Sequence, residues 1–128
     1  MLPKPDVPQP TDVFMEHAKE VITAKAYDLL KYTLPILDGL PRSQKFTLGD
    51  RIQNHLSDLL EILIEAYYLP AAEKRPLLLR ANIRLEMLRH YFRLCYDKGH
   101  YNSLKYKDLA ERTDEIGRMV GGWIKSLK

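Results

Sequence analysis

One stretch of the sequence, residues 78–95, carries apolar side chains on two opposite faces of the helix that its spacing predicts. At 3.6 residues per turn, one stripe consists of Leu78, Ala81, Leu85, Leu88, Phe92 and Cys95. A second stripe, roughly opposite, consists of Leu79, Ile83, Met87, His90 and Leu94. Since one core covers only one side of a helix, the second stripe needs a cover of its own. The pattern predicts a homo-oligomer with Leu79, Ile83, Met87 and Leu94 at the interface; the alternative cover is the N-terminal arm or the end of the first helix.

Three other segments have the same helical periodicity, and the alternation typical of β-sheets does not occur in the sequence. The predicted helices run from after Thr11-Asp12 to about Gly39, from Thr47 to Tyr68, from Glu73 to Lys98, and from Asn102 or Ser103 to Lys125. Pro35 should kink or end the first of them. The short linkers predict an all-α protein, an antiparallel up-down-up-down four-helix bundle over residues 12–128, behind a proline-rich flexible arm at residues 1–11.

The last predicted helix contains glycines, each of which costs about 1 kcal/mol relative to alanine inside a helix. Gly117 and Gly121 share a line with Ala110, beside a core line made of Leu109, Thr113, Ile116, Val120, Trp123 and Leu127. A smooth line of small residues favours the close approach of a neighbouring helix. Gly122 lies off that line and has no packing role that the sequence explains.

Positive charge is concentrated in one part of the chain. Residues 74–107 hold 9 Lys/Arg against 2 Asp/Glu, whereas residues 1–73 hold 7 against 11. Two arginine edges flank the second stripe, Arg80 with Arg84 on one side and Arg89 with Arg93 on the other. Lys98, Lys105 and Lys107 follow, interleaved with Tyr91, Tyr96, Tyr101 and Tyr106. Such a pattern is typical of nucleic-acid binding, because cations contact phosphates while rings stack on bases. It also occurs at protein interfaces. A further alternative is that these charges only balance the acidic first half of the chain.

Catalytic and metal-binding patterns are missing from the sequence. The histidines, His17, His55, His90 and His100, lack metal-ligand spacing, and no inward Glu-x-x-His pair or phosphate-binding loop occurs. We therefore predict no enzyme activity, no metal and no cofactor. The single cysteine, Cys95, is predicted to be a core residue. The absence of a long apolar segment or a signal sequence predicts a cytoplasmic protein with no membrane partner.

Four segments carry a resemblance to a known family. They are LPRSQKFTLGDRI (residues 40–52), LLEILIEAYY (59–68), LLLRANIRLEMLR (77–89) and DEIGRMVGGWIKSL (114–127). In this order and spacing the chain resembles the accessory variability determinant proteins of diversity-generating retroelements. The wider four-helix-bundle family includes the proteins encoded by intervening sequences of bacterial ribosomal RNA genes.

The resemblance implies a homopentameric barrel that binds the reverse transcriptase of the retroelement and its template RNA. Whether DNA is a further ligand stays open. The resemblance also implies support of mutagenic reverse transcription (mutagenic retrohoming) without catalysis by the chain itself. The pentamer rests on the family alone, whereas the binding residues, Arg80, Arg84, Arg89, Arg93, Lys98, Lys105 and Lys107, come from the spacing above. The alternative is a structural or protein-binding bundle of the ribosomal intervening-sequence type.

Overall fold

A computed structural model describes residues 10–127, with side chains from residue 21 onward. The described residues form five helices and no strand: α1 (Pro10–Asp38), α2 (Arg42–Lys45), α3 (Leu48–Tyr68), α4 (Ala71–Asp97) and α5 (Ser103–Ser126). The four predicted helices correspond to α1, α3, α4 and α5, so the all-α four-helix fold is confirmed. The four-residue helix α2 was not predicted. The predicted arm at residues 1–11 lies almost wholly outside the described residues and stays a prediction, and the side chain of His17 also lies outside them.

The four long helices pack as a bundle in which sequence neighbours are spatial neighbours. α3 packs against α1 and α4, and α5 closes the bundle by packing against α4 and α1. α1 and α4 therefore lie on a diagonal. Because the connections are short, consecutive long helices run antiparallel. The C-termini of α1 and α4 and the N-termini of α3 and α5 meet at one end of the bundle, which we call the loop end.

The core consists of the predicted stripes. Every member of the first stripe of α4, which we call the inner stripe, is at most 1% exposed. Leu109, Thr113, Ile116 and Val120 of α5 are also buried, while Leu127 is half-buried. Pro35 lies within α1, which continues to Asp38. These helices are thus fixed by burial of one apolar face each, as the periodicity predicts.

Both ends of the α4–α5 connection carry the expected capping signals. Gly99 has a φ of +78°, the left-handed conformation that favours glycine. Its N–H donates to Tyr96 O and the N–H of His100 donates to Cys95 O, each at 2.9 Å, which satisfies carbonyls at the end of α4. The side chain of Asn102 accepts from the N–H of Lys105 at 2.8 Å and caps α5.

The α3–α4 connection depends on a buried lysine. The ammonium of Lys74 donates to the carbonyl of Ala66 at 2.6 Å and to that of Tyr67 at 3.2 Å, although Lys74 is only 6% exposed. In a continuing helix the N–H of residue 70 would bond to Ala66, but Pro70 has no N–H. Lys74 therefore supplies, from the first turn of α4, the donor that the end of α3 lacks.

Candidate partner-binding surface

The second apolar stripe of α4, Leu79, Ile83, Met87 and Leu94, lies on the surface and is called the outer stripe below. Leu79 is 50% exposed, Ile83 60% and Leu94 40%, and Met87 is half-buried. The described part of α1 does not cover the stripe, because α1 lies diagonally across the bundle from α4. The stripe therefore leaves uncovered apolar area of the kind that marks interaction sites. Its role as an oligomer interface stays a prediction.

The first arginine edge lies beside the acidic side of α3. Arg84 Nε is 3.6 Å from Asp58 Oδ2. Arg80 is exposed, and within the described residues it makes no ion pair. Both arginines line a small polar pocket with Asp58, Glu61 and Glu65. One member of this edge, Arg84, is thus ion-paired within its own chain, whereas Arg80 is exposed beside the carboxylates of this pocket without an ion pair among the described residues.

The second arginine edge is bound to carboxylates of α4 and α5. Arg89 donates to Asp114 Oδ1 at 2.8 Å and to Glu86 Oε2 at 3.2 Å, which ties α4 to α5. Arg93 donates to Asp97 Oδ1 at 3.1 Å, and this hydrogen bond together with the charge of Asp97 raises the pKa of Arg93. The spacing could not reveal the partner of Arg89, because Asp114 lies on another helix, whereas Arg93 pairs locally with Asp97 one turn further along α4.

The glycines of α5 have a different role from the predicted one. A Cβ added at Gly117 would lie 2.6 Å from Arg89 Nη2, so Gly117 makes room for a guanidinium, not for a helix backbone. A Cβ at Gly121 would meet no atom within 4 Å. The predicted close packing of a neighbouring helix at Gly117 and Gly121 is therefore wrong within the chain. The nearest atoms at Gly117 belong to a side chain of α4 and not to a helix backbone.

The predicted lysines gather near the loop end. Lys98 is exposed at the C-terminus of α4, and Lys107 Nζ is 3.9 Å from Glu111 Oε1. Lys105 Nζ lies 5.3 Å from the centre of the Tyr32 ring, a cation–π contact. Lys107 is exposed and its single ion pair is weak, whereas Lys105 is half-buried against the Tyr32 ring. Lys98 and Lys107 therefore carry the more accessible charge.

Of the four interleaved tyrosines, two form a stacked pair near these lysines. The rings of Tyr96 and Tyr106 lie 5.0 Å apart and nearly parallel, with Tyr96 37% exposed. Tyr101 instead donates its hydroxyl proton to the carbonyl of Phe92, and burial raises its pKa. Tyr91 packs against His55, with ring centres 5.5 Å apart. The sequence pattern thus mixes two tyrosines that pack within the chain, Tyr101 and Tyr91, with a stacked pair in which Tyr96 is exposed and Tyr106 is half-buried.

The structure adds basic residues that the sequence reasoning missed. Arg42 and Lys45 of α2 lie at the same end as Lys98, because His100 Nε2 and Gln44 Oε1 are 2.6 Å apart and join α2 to the α4–α5 connection. Phe46 and Leu104, also at this end, are 69% and 75% exposed. Counting charges by segment did not single out Arg42 and Lys45, because they belong to the acidic residues 1–73. Their presence in the LPRSQKFTLGDRI segment was the available signal.

The described residues also bear on two other kinds of site, metal sites and membrane-spanning helices. They contain no group of three or more His, Cys, Asp or Glu side chains that could hold a metal ion. No helix within them combines the length and the apolar character needed to cross a membrane.

The fold and this surface define a helical bundle with an apolar stripe, arginine edges and a basic end at its surface. Residues 20–127 match the family described as bAvd-like, and the chain belongs to that family. The proteins of this family are of an accessory, non-catalytic kind. The resemblance drawn from the four sequence segments is thereby confirmed. No curated protein and no solved structure gives a significant match.

Proposed function

We propose that the chain is the accessory protein of a diversity-generating retroelement, which binds the reverse transcriptase and its template RNA and supports mutagenic copying without catalysing it. The observation that carries this proposal is the family match over residues 20–127, which includes all of α3, α4 and α5. We further propose a cytoplasmic homopentamer, as the family resemblance implies.

The distribution of charge supports binding of a polyanion at the loop end. Lys98, Lys105 and Lys107 lie near Arg42 and Lys45 there. Arg42, Lys98 and Lys107 are exposed, and Lys45 and Lys105 are half-buried. Accessible, weakly paired cations exchange their counterions for phosphates, which drives association. A ring of subunits would repeat this basic end around its axis, so that modest contacts add through avidity. The stacked Tyr96 and Tyr106 beside it offer an aromatic surface to unpaired bases.

A charge-neutralising variant tests the RNA part of the proposal. Replacing Lys98, Lys105 and Lys107 together with glutamine should weaken binding of the template RNA, alone and with the reverse transcriptase. The log–log slope of affinity against salt should become shallower by about 2 to 3, because about 0.7 to 0.9 of a counterion is released per phosphate contact. Fluorescence anisotropy over a salt series measures both quantities.

The matched control removes three charges from the other end of the bundle. Arg75, Arg118 and Lys125 are exposed, and replacing them with glutamine changes the net charge by the same amount. Their loss should leave the salt slope nearly unchanged. Equal effects of the two triple variants would show that only net charge matters, and unchanged RNA binding by the loop-end variant would contradict the assignment of this end.

The second candidate function is a structural or protein-binding bundle without nucleic acid. The ion pairs of Arg84, Arg89 and Arg93 favour it, since these arginines already have partners in the chain. Replacing Arg80, Arg84, Arg89 and Arg93 with glutamine separates the candidates. Absence of RNA binding by the parent chain, together with loss of helicity in the variant, supports the structural candidate. RNA binding by the parent chain that is lost in the variant at unchanged helicity supports the retroelement role.

A further inference from the structure

Besides the outer stripe of α4, a second apolar face of the bundle is open. It is a groove of about 390 Å³ between α1 and α3, lined by Leu30, Ser57, Leu60, Glu61, Ile64 and Glu65. Tyr27 and Leu34 lie one turn to either side of Leu30 on α1, and they are 53% and 37% exposed. We call this face the α1–α3 groove. The bundle thus has two separate apolar faces on its sides, neither covered by the described residues.

The charges along these two faces are opposite. The outer stripe of α4 has arginines on both edges, with Arg80 and Arg84 on the α3 side. The α1–α3 groove is bordered on α3 by Glu61 and Glu65, which also line the polar pocket with Arg80 and Arg84 of their own chain. Within the described residues neither glutamate makes an ion pair there, so both carboxylates remain exposed at the edge of the groove. If two outer stripes met face to face, arginine edges would oppose each other, whereas a stripe set in the groove brings arginine to glutamate. Like charges across an interface select against the first arrangement.

We propose that the outer stripe of one copy packs into the α1–α3 groove of a second copy. This inference rests on the self-assembly in the proposed function, and it specifies the two surfaces that meet. The contact is heterologous, because each copy contributes a different face at each of its two interfaces.

When neighbouring copies lie parallel, matching residues of the two faces lie at the same distance from the loop end, measured along the helix axes. With a rise of 1.5 Å per residue, Leu94 and Leu34 both lie about 5 to 6 Å from the loop end. Arg84 and Glu61 both lie about 20 Å from that end, and Arg80 and Glu65 about 26 Å. No sliding of one copy along the other is needed to match apolar with apolar and positive with negative side chains.

The positions of the faces favour a closed ring. The outer stripe points away from the bundle at α4, while the groove lies between α1 and α3, so the faces are neither on the same side nor directly opposite. Each added copy is therefore turned relative to the last about an axis parallel to the helices. A heterologous contact with such a turn closes into a ring, whereas opposite faces would give a filament.

Cysteine cross-linking tests the pairing of faces. In a Cys95→Ala background, the full-length double variant Leu34→Cys, Leu94→Cys should form disulfides between copies under mild oxidation. The expected result is a ladder of covalent multimers on a non-reducing gel. Within one chain the two positions lie on diagonal helices, too far apart for the short Cα separation that a disulfide requires.

Three control variants make the test specific. Leu34→Cys alone should give no dimer, because no partner thiol lies opposite it, and the same holds for Leu94→Cys alone. Leu34→Cys with Leu79→Cys should not cross-link either, since those positions differ in level by about 21 Å. A dimer from Leu94→Cys alone would show that outer stripes meet face to face, and it would overturn the proposal.

Light scattering of the reduced double variant at micromolar concentration separates this inference from the proposed function. An oligomer that does not cross-link through Leu34→Cys and Leu94→Cys overturns the pairing of faces and leaves self-assembly standing. A monomer overturns both the self-assembly and the pairing. A monomer that still binds reverse transcriptase and RNA would leave the rest of the proposed function intact.

Discussion

The inner and outer stripes of α4 are chemically alike and physically different. Both consist mainly of leucine and other aliphatic side chains at helical spacing. The inner stripe is at most 1% exposed, whereas Leu79 and Ile83 of the outer stripe are 50% and 60% exposed. Since both stripes lie on one helix, helix propensity cannot explain the difference. Only the position of the other three helices does.

This difference separates the energy of folding from the energy of association. Burial of the inner stripe stabilises the bundle whether or not the chain is assembled. The outer stripe gains comparable energy only when another surface removes it from water. The contrast predicts that equivalent substitutions on the two stripes affect different equilibria.

The largest expected effect comes from truncating a leucine of the inner stripe. Leu85 is 0% exposed, so Leu85→Ala should lower the free energy of unfolding by about 2 to 5 kcal/mol through lost burial and a residual cavity. Ile83→Ala, two residues away on the outer stripe, should cost less than about 1 kcal/mol in a dilute sample where the chain is monomeric. Urea denaturation followed by circular dichroism measures both values.

The same pair of variants also separates association from folding. Sedimentation at increasing concentration should show weaker assembly for Ile83→Ala at unchanged helicity. Similar losses in the free energy of unfolding for Leu85→Ala and Ile83→Ala in dilute samples would mean that the outer stripe is part of the folded core. That result would contradict the separation of folding from association.

Most of the fold followed from the sequence because the signals are local. The inner stripe, the stop at Lys98-Gly99 and the cap at Asn102 each depend on residues within one or two helical turns. The role of Gly117 could not be predicted in this way, since it depends on a guanidinium from α4.

The candidate site was predicted less completely for the same reason. The charge of Arg89 was visible in the sequence, but its partner Asp114 lies 25 positions away. The grouping of Arg42 and Lys45 with Lys98 depends on the contact between Gln44 and His100, which no periodicity encodes. The parts of the candidate site that depend on long-range pairing of side chains could therefore not be predicted from the sequence.

A smaller effect is expected from the glycines, which extend the comparison to α5. Gly121 faces open space, so Gly121→Ala should stabilise the chain by about 0.5 to 1 kcal/mol, the usual gain in a helix. Gly117→Ala should give less, because its Cβ would displace Arg89 from Asp114. Melting temperatures of both variants, alone and with Arg89→Ala, measure the difference. An equal gain for both in the presence of Arg89 would show that the guanidinium yields without cost.

The smallest expected effect is a pH dependence from His55, which packs beside the α4 surface. Burial, and then the charge of Arg84, lower the pKa of His55 from its ordinary value of 6.5. The unfolded chain therefore binds a proton at His55 more readily than the folded chain does. The stability that depends on neutral His55 is complete above pH 6.5 and is lost as the pH falls through the folded-state pKa. The free energy of unfolding, measured across this range, should fall slightly less in His55→Gln than in the parent chain. An identical pH profile would rule out the contribution.

The bond from Lys74 to the end of α3 has a consequence for how related sequences diverge. Lys74 is needed at Ala66 because Pro70 brings no N–H to that carbonyl. A relative with an ordinary residue at position 70 could satisfy the carbonyl through its own backbone, and position 74 could then become aliphatic. Among bAvd-like sequences, proline at position 70 and lysine at position 74 should therefore be gained and lost together.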